Sequence, residues 1–270
     1  MALPDLELTM PRKRPAPRIL TVKHKTRLTP NMIRVTFAGP EIATIRAGCE
    51  GAHCKLMLPA ANQTREAFAS QLEEGPRPAT RTYTVRHLRQ NASEPEMDID
   101  FVDHGDNGPA SAWALSVKPG DFCGFGGPGP IKVEEFHADW YLVAADMSAL
   151  PMAAATLEAM PRDARGLAIF EITEPDDKQD IAAPEGIDIR WLLHPVSHRA
   201  SAAQVDLITA LDWPEGVVQT CIAGESGVIR TLRDHLANQR QVPRKDTYIS
   251  GYWKIGLVED EHQAMKRREG

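Results

Sequence analysis

In the stretch WYLVAADMSALPMAAATLEAM (Trp140–Met160) the sequence changes from segments of alternating polarity to a continuous apolar segment followed by a helical one, and this change decides the fold. The first six residues of the stretch form a continuous apolar run, which is typical of a strand buried on both faces of a sheet. The following residues, 148–160, have the composition of a helix, with Ser148 as the candidate N-cap and Pro151 in the first turn, where proline is tolerated. The stretch therefore predicts a buried strand followed by a helix.

Towards the C-terminus the same alternation of strand and helix continues. Strands are predicted at GLAIFEI, IDIRWLL, VVQTCIA and TYIS, and helices at SAAQVDLITAL and SGVIRTLRDHLANQ. Such alternation predicts a parallel sheet covered by helices, whose ligands bind beyond the carboxyl ends of the strands. The residues expected at that rim are Asp146, Thr173, His194, Gly224, Glu225 and Gly251. Among them, Asp146, Gly224 and Glu225 are the candidates for a nicotinamide site.

Towards the N-terminus the chain consists of short segments that alternate in polarity. They read RILTVKH, MIRVTFAG, CKLMLP, RTYTVRH, MDIDFVDH and IKVEEF, with Gly, Pro and Asn between them. Several short strands separated by turns predict an antiparallel barrel, which has no exposed edge. We therefore expect a disordered basic arm over 1–17, a β-barrel domain over 18–136, an α/β domain over 137–252 and a helical extension over 253–270.

Composition excludes several classes of function. The 270 residues are 42% apolar with a formal net charge of -6, and long basic runs are absent, which argues against nucleic-acid binding. No apolar run approaches the roughly 20 residues of a membrane span, and the N-terminus lacks a signal-peptide core, so we expect a cytoplasmic protein. The four cysteines form no C-x-x-C pair, which predicts reduced thiols and no metal site.

The segment GFGGPG (124–129) matches the G-x-G-x-x-G spacing of dinucleotide-binding loops. That loop requires a helix after the last glycine, because the helix N-terminus faces the pyrophosphate. Here Pro128 and Pro130 flank the last glycine, and IKVEEF (131–136) alternates like a strand. We therefore interpret the segment as a turn between two strands, and expect other residues to hold any nucleotide.

Three motifs in order give the chain a family resemblance. RTYTVR (81–86) resembles the flavin-binding strand R-x-Y-[ST] of ferredoxin-reductase flavoproteins. The segments 98–130 and GYWKIGLVEDEH (251–262) are similar to those of siderophore-interacting proteins, the FAD-dependent ferric-siderophore reductases of that superfamily. The resemblance implies a Greek-key flavin-binding barrel, a parallel-sheet domain of the NAD(P)H-binding type and a C-terminal helix.

The resemblance also implies a set of FAD-binding residues. Arg81 suits a pyrophosphate, Tyr83 offers a flat face, and Thr84 offers a hydroxyl near the flavin edge. The remaining candidates are Thr82, His104, Gly105, Gly108, Pro109, Ala110, Ser111 and Trp113, together with Tyr252 or Trp253 as the aromatic that caps the flavin. A structural role for His104, and packing between domains for the two C-terminal aromatics, stay open as alternatives.

For the substrate, the resemblance implies a ferric siderophore, which is often anionic and requires local positive charge. Lys55 in HCKLMLP is the first candidate, because alternation puts it on the opposite face from Cys54 and Leu56. Lys254, Lys266 and Arg267 are further candidates, although basic residues are also expected at a helix end because of the helix dipole.

The electron donor is the least defined part. The turn after Trp140–Ala145 contains no glycine, and Asp146 would repel a pyrophosphate. Glu171 and Glu174 follow the next strand, with no Lys or Arg before Lys178 to bind a 2'-phosphate, which favours NADH over NADPH. Ferredoxin is the alternative donor.

We expect no catalytic acid or base, because FAD performs the electron transfer. HPVSH (194–198) has metal-like spacing but is interpreted as a loop, since Pro195 opposes a helix. Two alternatives to a ferric-siderophore reductase stay open: a general flavin reductase acting on quinone or ferredoxin, and a siderophore-binding carrier without turnover.

Overall fold

The computed structural model describes residues 17–105, 108–196, 199 and 201–257. Most of the predicted arm, most of the predicted C-terminal helix, and the candidates Lys266 and Arg267 lie outside these residues. The domain boundaries given above stay predictions. Among the described residues, no helix has the length and apolar composition needed to cross a membrane.

The first half of the chain forms an antiparallel sheet, as predicted, and this sheet has seven strands where six were predicted. Its strands are β1 (Arg18–Thr29), β2 (Met32–Ala38), β3 (His53–Met57), β4 (Thr80–Thr84), β5 (His87–Arg89), β6 (Glu96–Val102) and β7 (Phe122–Gly126). They are arranged in the order β4-β3-β7-β1-β2-β6-β5. Apolar side chains from alternate positions, including Leu20, Val35, Leu56 and Phe101, fill the interior.

One continuous segment closes this sheet into a barrel. β4 and β5 stand at opposite ends of the strand order but are separated in sequence only by Val85 and Arg86. The Val85 amide donates to the Ala52 carbonyl near β3, and the Arg86 amide donates to the Asp98 carbonyl of β6, each at 2.9 Å. The segment therefore connects one end of the strand order directly to the other, which curves the sheet into a barrel.

The Gly/Pro segment and its neighbour differ from the sequence prediction. Gly124 and Gly126 lie within β7 rather than in a turn, and residues 131–136, predicted as a strand, form no regular structure. Gly124 suits a strand interior here because a Cβ atom would lie 3.0 Å from the Met57 Cβ atom. β7 already pairs with β1 and β3, so the closed barrel has no place for a strand over 131–136. No helix follows the glycines, as predicted.

Two helices belong to the barrel half of the chain. α1 (Arg65–Glu74) lies between β3 and β4 and was not predicted, and α2 (Pro109–Ser116) follows β6. The Thr64 side chain accepts a hydrogen bond from the Ala67 amide at 3.2 Å and caps α1.

The second half forms the predicted parallel sheet covered by helices. Its elements are the strands β8 (Trp140–Ala145), β9 (Arg165–Ile172), β10 (Gly186–Leu193), β11 (Val218–Glu225) and β12 (Thr247–Trp253), and the helices α3 (Leu150–Ala159), α4 (Ala203–Thr209) and α5 (Ser226–Asp234). The strand order is β10-β9-β8-β11-β12, so the order reverses between β8 and β11. In open α/β sheets, ligands bind beyond the carboxyl ends of the strands at such a reversal.

The start of α3 differs in one detail from the prediction. The Ser148 side chain does not cap the helix; it donates instead to Asp146 Oδ1 at 2.6 Å. The same oxygen accepts from the Ser148 amide at 2.9 Å and the Ala149 amide at 3.3 Å. A carboxylate suits this position better than a hydroxyl because it is a stronger acceptor for amides at a helix N-terminus.

A buried carboxylate ties the barrel to the parallel sheet. Asp177, which is fully buried, follows β9 and accepts hydrogen bonds from the Thr29 hydroxyl at 2.8 Å and from the Asn31 amide and side chain at 2.9 and 2.8 Å. The Glu174 amide donates to it at 3.0 Å. A second tie is the bidentate pair of Arg86 with Glu158, at 2.6 and 2.7 Å. Both ties cross from one sheet to the other.

We predict that Asp177→Ala lowers the free energy of unfolding by about 3 kcal/mol, because several buried donors lose a charged acceptor. Burial by itself raises the pKa of Asp177, but the hydrogen bonds from Asn31 and Thr29 outweigh it and lower the pKa below its usual value. This contribution is present above about pH 4 and lost as the pH falls through the lowered pKa. Urea unfolding of both proteins between pH 7 and pH 3 checks this; a difference that does not shrink in acid contradicts it.

Candidate functional site

A cleft of about 590 Å³ lies between the barrel and the carboxyl edge of the parallel sheet. Its volume is in the range of sites for small molecules and cofactors. Its lining residues come from both halves of the chain: His53, Lys55, Arg81, Thr82, Tyr83, Thr84, Asp100, Val102, His104, Gly108, Pro109, Ala110, Ser111, Lys132, Ser148, Pro151, Tyr248, Ser250, Gly251, Tyr252, Trp253 and Leu257. Most of the residues predicted to bind a cofactor are therefore brought together.

β4 supplies the centre of the barrel side. The Tyr83 ring packs on Phe101 with its centroid 4.4 Å away, which fixes the ring at the cleft wall. Thr84 is buried at the same wall, and Arg81 donates to the Thr80 carbonyl at 2.9 Å. The four consecutive residues Arg81–Thr84 all line the cleft.

The N-terminus of α2 supplies a second wall. Its N-cap is Gly108, which makes no side-chain capping bond, and Gly108, Pro109, Ala110 and Ser111 line the cleft. Apart from its chain neighbours, no described residue lies within 4 Å of a Cβ atom built on Gly108, so on that side the backbone allows close approach. The Ser111 hydroxyl accepts from the His104 amide at 3.0 Å and holds the preceding loop against the helix. A helix N-terminus without a side-chain cap suits a phosphate.

Several basic groups gather at the barrel side of the cleft. Lys55 Nζ donates to the Thr82 hydroxyl. Lys132 Nζ lies 2.9 Å from His53 Nδ1 and 5.6 Å from the centre of the Tyr248 ring. Burial, together with the nearby Lys132 and Lys55 charges, lowers the pKa of His53. The neutral imidazole therefore accepts from the Lys132 ammonium group.

Lys132, His53 and Tyr248 were missed by the sequence analysis. Lys132 falls in the segment wrongly predicted as a strand, and His53 precedes Lys55 by two positions in the same strand, so alternation puts the two on one face. That spacing was the available signal for His53. Nothing in the sequence brings residue 132 next to residue 53.

The last strand, β12, supplies the sheet side. Tyr248, Ser250, Gly251, Tyr252 and Trp253 all line the cleft, and the hydroxyl oxygens of Tyr248 and Tyr252 lie 3.2 Å apart. The Trp253 indole Nε1 donates to Asp146 Oδ2 at 2.7 Å, which fixes its orientation. Which of Tyr252 and Trp253 caps a flavin stays a prediction.

The three nicotinamide-site candidates meet at the reversal of strand order, behind the residues that line the cleft. Burial raises the pKa of Asp146. Gly224, with φ of +157°, leaves room for Asp146, because a Cβ atom there would lie 2.7 Å from Asp146 Oδ2. Glu225 Oε2 accepts from the Gly227 amide at 2.5 Å and the Val228 amide at 3.0 Å. Both carboxylates are thus engaged by backbone amides.

Three other candidates are not among the lining residues. The Trp113 ring packs in the barrel core, with its centroid 6.3 Å from that of Phe37 and 5.8 Å from that of Phe101. Gly105 has φ of +62° in the loop before α2. Lys254 follows β12 and is half-buried. Their predicted roles in binding stay predictions.

The described residues fit FAD better than a metal. An aromatic wall, an arginine and an uncapped helix N-terminus around one cleft offer a stacking surface and phosphate donors. In the described part of the chain, no group of three or more His, Cys, Asp or Glu side chains is arranged to hold a metal ion. The four cysteines are all buried and unpaired.

Known proteins are similar to this chain over nearly its whole length. Ferric vibriobactin reductase ViuB of Vibrio cholerae is 33% identical over 90% of this chain and 92% of its own. The NADPH-dependent ferric-chelate reductase of Escherichia coli is 27% identical over 87% of this chain and 92% of its own. The crystal structure of the siderophore-interacting protein SipS from Aeromonas hydrophila superposes with a TM-score of 0.81 at 34% identity, covering 96% of this chain and 99% of SipS.

Two family models match consecutive parts of the sequence. The siderophore-interacting FAD-binding domain matches residues 21–131, and the siderophore-interacting protein model matches residues 138–256. Together they span the barrel and the parallel sheet, including all the described residues that line the cleft except Lys132 and Leu257. The resemblance found in the sequence is thereby confirmed, and the chain belongs to the siderophore-interacting protein family.

Proposed function

We propose that this protein is a ferric-siderophore reductase, which passes electrons from a reduced donor through FAD to Fe(III) in its chelate. The observation that carries the proposal is the single cleft wall in which Arg81–Thr84 stand beside the basic groups of Lys55 and Lys132. A seat for a flavin and a positive surface for an anionic chelate are thus adjacent.

In this proposal the barrel residues seat the cofactor. Arg81 and the N-terminus of α2 hold the pyrophosphate, Tyr83 supports the flavin ring, and Thr84 offers its hydroxyl at the ring edge. When bound, FAD accepts an electron pair from the donor and releases electrons singly. The packing of Tyr83 on Phe101 supports the orientation of the ring that this role requires.

The basic groups receive the substrate. The chain carries a net charge of -6, so an anionic chelate is drawn to the cleft only by a local excess of positive charge. Lys55 and Lys132 supply that charge, and Asp100, the acidic residue of the lining, is neutralised by Arg34 at 2.7 Å. Reduction weakens the hold of an oxygen-rich chelate on iron, because Fe(II) is softer and less charged.

For the donor we propose NADH over NADPH, with ferredoxin as the alternative. Glu171 lies at the carboxyl end of β9, the strand position whose acidic side chain binds the ribose 2'-hydroxyl of NAD in related sheets. Burial raises its pKa, and among the described residues its Oε2 atom has no hydrogen-bond partner. No Lys or Arg between Glu171 and Lys178 can receive a 2'-phosphate. The Escherichia coli relative is named for NADPH, so the two donors must be compared directly.

We predict that the purified protein is yellow, is bleached by NADH without oxygen, and is recoloured by a ferric siderophore while a chelator traps Fe(II). A carrier without turnover is not bleached, and a general flavin reductase is recoloured by quinone or ferredoxin but not by the ferric siderophore. Parallel titrations with NADPH and reduced ferredoxin rank the donors. A colourless protein that does not take up FAD contradicts the proposal.

We predict that Arg81→Ala weakens FAD binding about 10- to 100-fold, because a charge-assisted contact to the pyrophosphate is lost. Fluorescence titration of the apoprotein with FAD measures the change. Arg77→Ala, which removes an exposed arginine four positions earlier, is the matched control and is expected to bind FAD like the wild type. Equal affinities for all three proteins would remove Arg81 from the cofactor site.

We predict that Lys55→Ala raises the KM for a ferric siderophore about tenfold while FAD content stays within error, because Lys55 acts on the charge of the chelate. Steady-state kinetics at low and high salt measure this, and the difference is expected to shrink with salt. Lys118→Ala removes an exposed lysine of the barrel away from the cleft and serves as the control. Unchanged kinetics of Lys55→Ala would reject the role.

A further inference from the structure

We propose that Asp146 and Glu225 are selectivity residues: Asp146 binds the two amides just before α3, Glu225 caps α5, and together they keep the pyrophosphate of a second dinucleotide away from the reversal of strand order. The protein then binds the pyrophosphate of FAD at the N-terminus of α2 and binds a nicotinamide donor only weakly. This inference rests on the proposed function for the identity of the donor. The occupation of the helix ends does not depend on it.

The position of the two carboxylates gives them this role. β8 and β11 are adjacent parallel strands, and the order of the sheet reverses between them. α3 follows β8 and α5 follows β11, so the N-termini of both helices face the crevice in which doubly wound sheets bind dinucleotides. Those helix ends normally attract phosphate by their free amides and by the positive end of the dipole.

At the start of α3, the amides of the two residues before the helix are bound by the Asp146 carboxylate, and the amides of its first turn are bound by backbone carbonyls. The Ser148 and Ala149 amides donate to Asp146 Oδ1, and the Leu150 amide donates to the Asp146 carbonyl at 2.9 Å. The next residue, Pro151, has no amide hydrogen, and the Met152 amide donates to the Ala149 carbonyl at 3.1 Å. A phosphate at this position would face the Asp146 carboxylate instead of free amide donors.

At α5, Glu225, the last residue of β11, is the N-cap residue, and its carboxylate accepts the first amides of the helix. Its Oε2 atom receives the Gly227 and Val228 amides, and its Oε1 atom receives the Ile255 amide at 3.3 Å. Only 8% of the residue is exposed. The carboxylate is therefore held over the helix end by amides from two segments, and a ligand would have to displace it.

The α2 helix shows the opposite arrangement. Its N-cap Gly108 provides no side-chain acceptor, and the space around it is open to the cleft. Among the described residues, no carboxylate caps the start of α2, whereas Asp146 binds the amides just before α3 and Glu225 caps α5. The contrast supports one helix N-terminus that binds a dinucleotide pyrophosphate rather than two.

The experiment uses the FAD-loaded protein and ADP-ribose, which carries the pyrophosphate but no nicotinamide and therefore does not react. Calorimetric titration compares the wild type with Asp146→Ala/Glu225→Ala, which frees the amides, and with Asp146→Asn/Glu225→Gln, which keeps an acceptor but removes the charge. We expect affinity for ADP-ribose to rise at least about tenfold in the alanine pair and by a smaller factor in the amide pair. The amide pair keeps the test valid if the alanine pair does not fold.

Glu185→Gln is the matched control, because it removes an exposed carboxylate just before β10 at the opposite edge of the sheet. The inference is overturned if neither double variant binds ADP-ribose more tightly than the wild type, or if Glu185→Gln gains as much. A fall in the KM for NADH with an unchanged KM for the ferric siderophore is the expected kinetic counterpart. Because the binding measurement needs no turnover, it holds even if the protein reduces no ferric siderophore.

Discussion

The contact between the barrel and the parallel sheet is the constraint on which the rest of the molecule depends. The cleft has one wall from each sheet, so its shape depends on a fixed position of the barrel relative to the parallel sheet. Asp177 provides that hold by accepting hydrogen bonds from the turn between β1 and β2, and the Arg86–Glu158 pair adds a second point of attachment. Charged groups suit this purpose because their partners must stand at defined distances, whereas apolar surfaces slide more easily.

The two sides of the cleft carry side chains of opposite charge. On the barrel side, Lys55, Lys132 and Arg81 line the cleft, and Asp100, the acidic residue among the described lining, is neutralised by Arg34. On the sheet side, two carboxylates lie at the points where a phosphate would be expected. Around the cleft, positive side chains thus stand on the barrel wall and carboxylates on the sheet side, which favours anions at the first and disfavours them at the second.

The sequence was sufficient for the architecture, because the change from alternating to continuous apolar segments reports how each sheet is buried. The sequence motifs also located the cleft residues of β4 and α2, and Gly251, Tyr252 and Trp253 of β12, because each motif places consecutive residues side by side. Prediction from the sequence failed for contacts between segments that are distant along the chain. The approach of Lys132 to His53 depends on tertiary placement, which local spacing does not report. The strand wrongly predicted over 131–136 had the right period, but the barrel was already complete.

Val85 and Arg86, which join the two ends of the barrel sheet, directly follow Arg81–Thr84, so the proposed FAD site lies next to the segment that closes the barrel. Any ligand that binds only the closed form shifts the equilibrium towards it by mass action. A cell short of riboflavin would then hold less folded protein as well as less active protein. Vitamin supply would in this way govern the lifetime of the polypeptide.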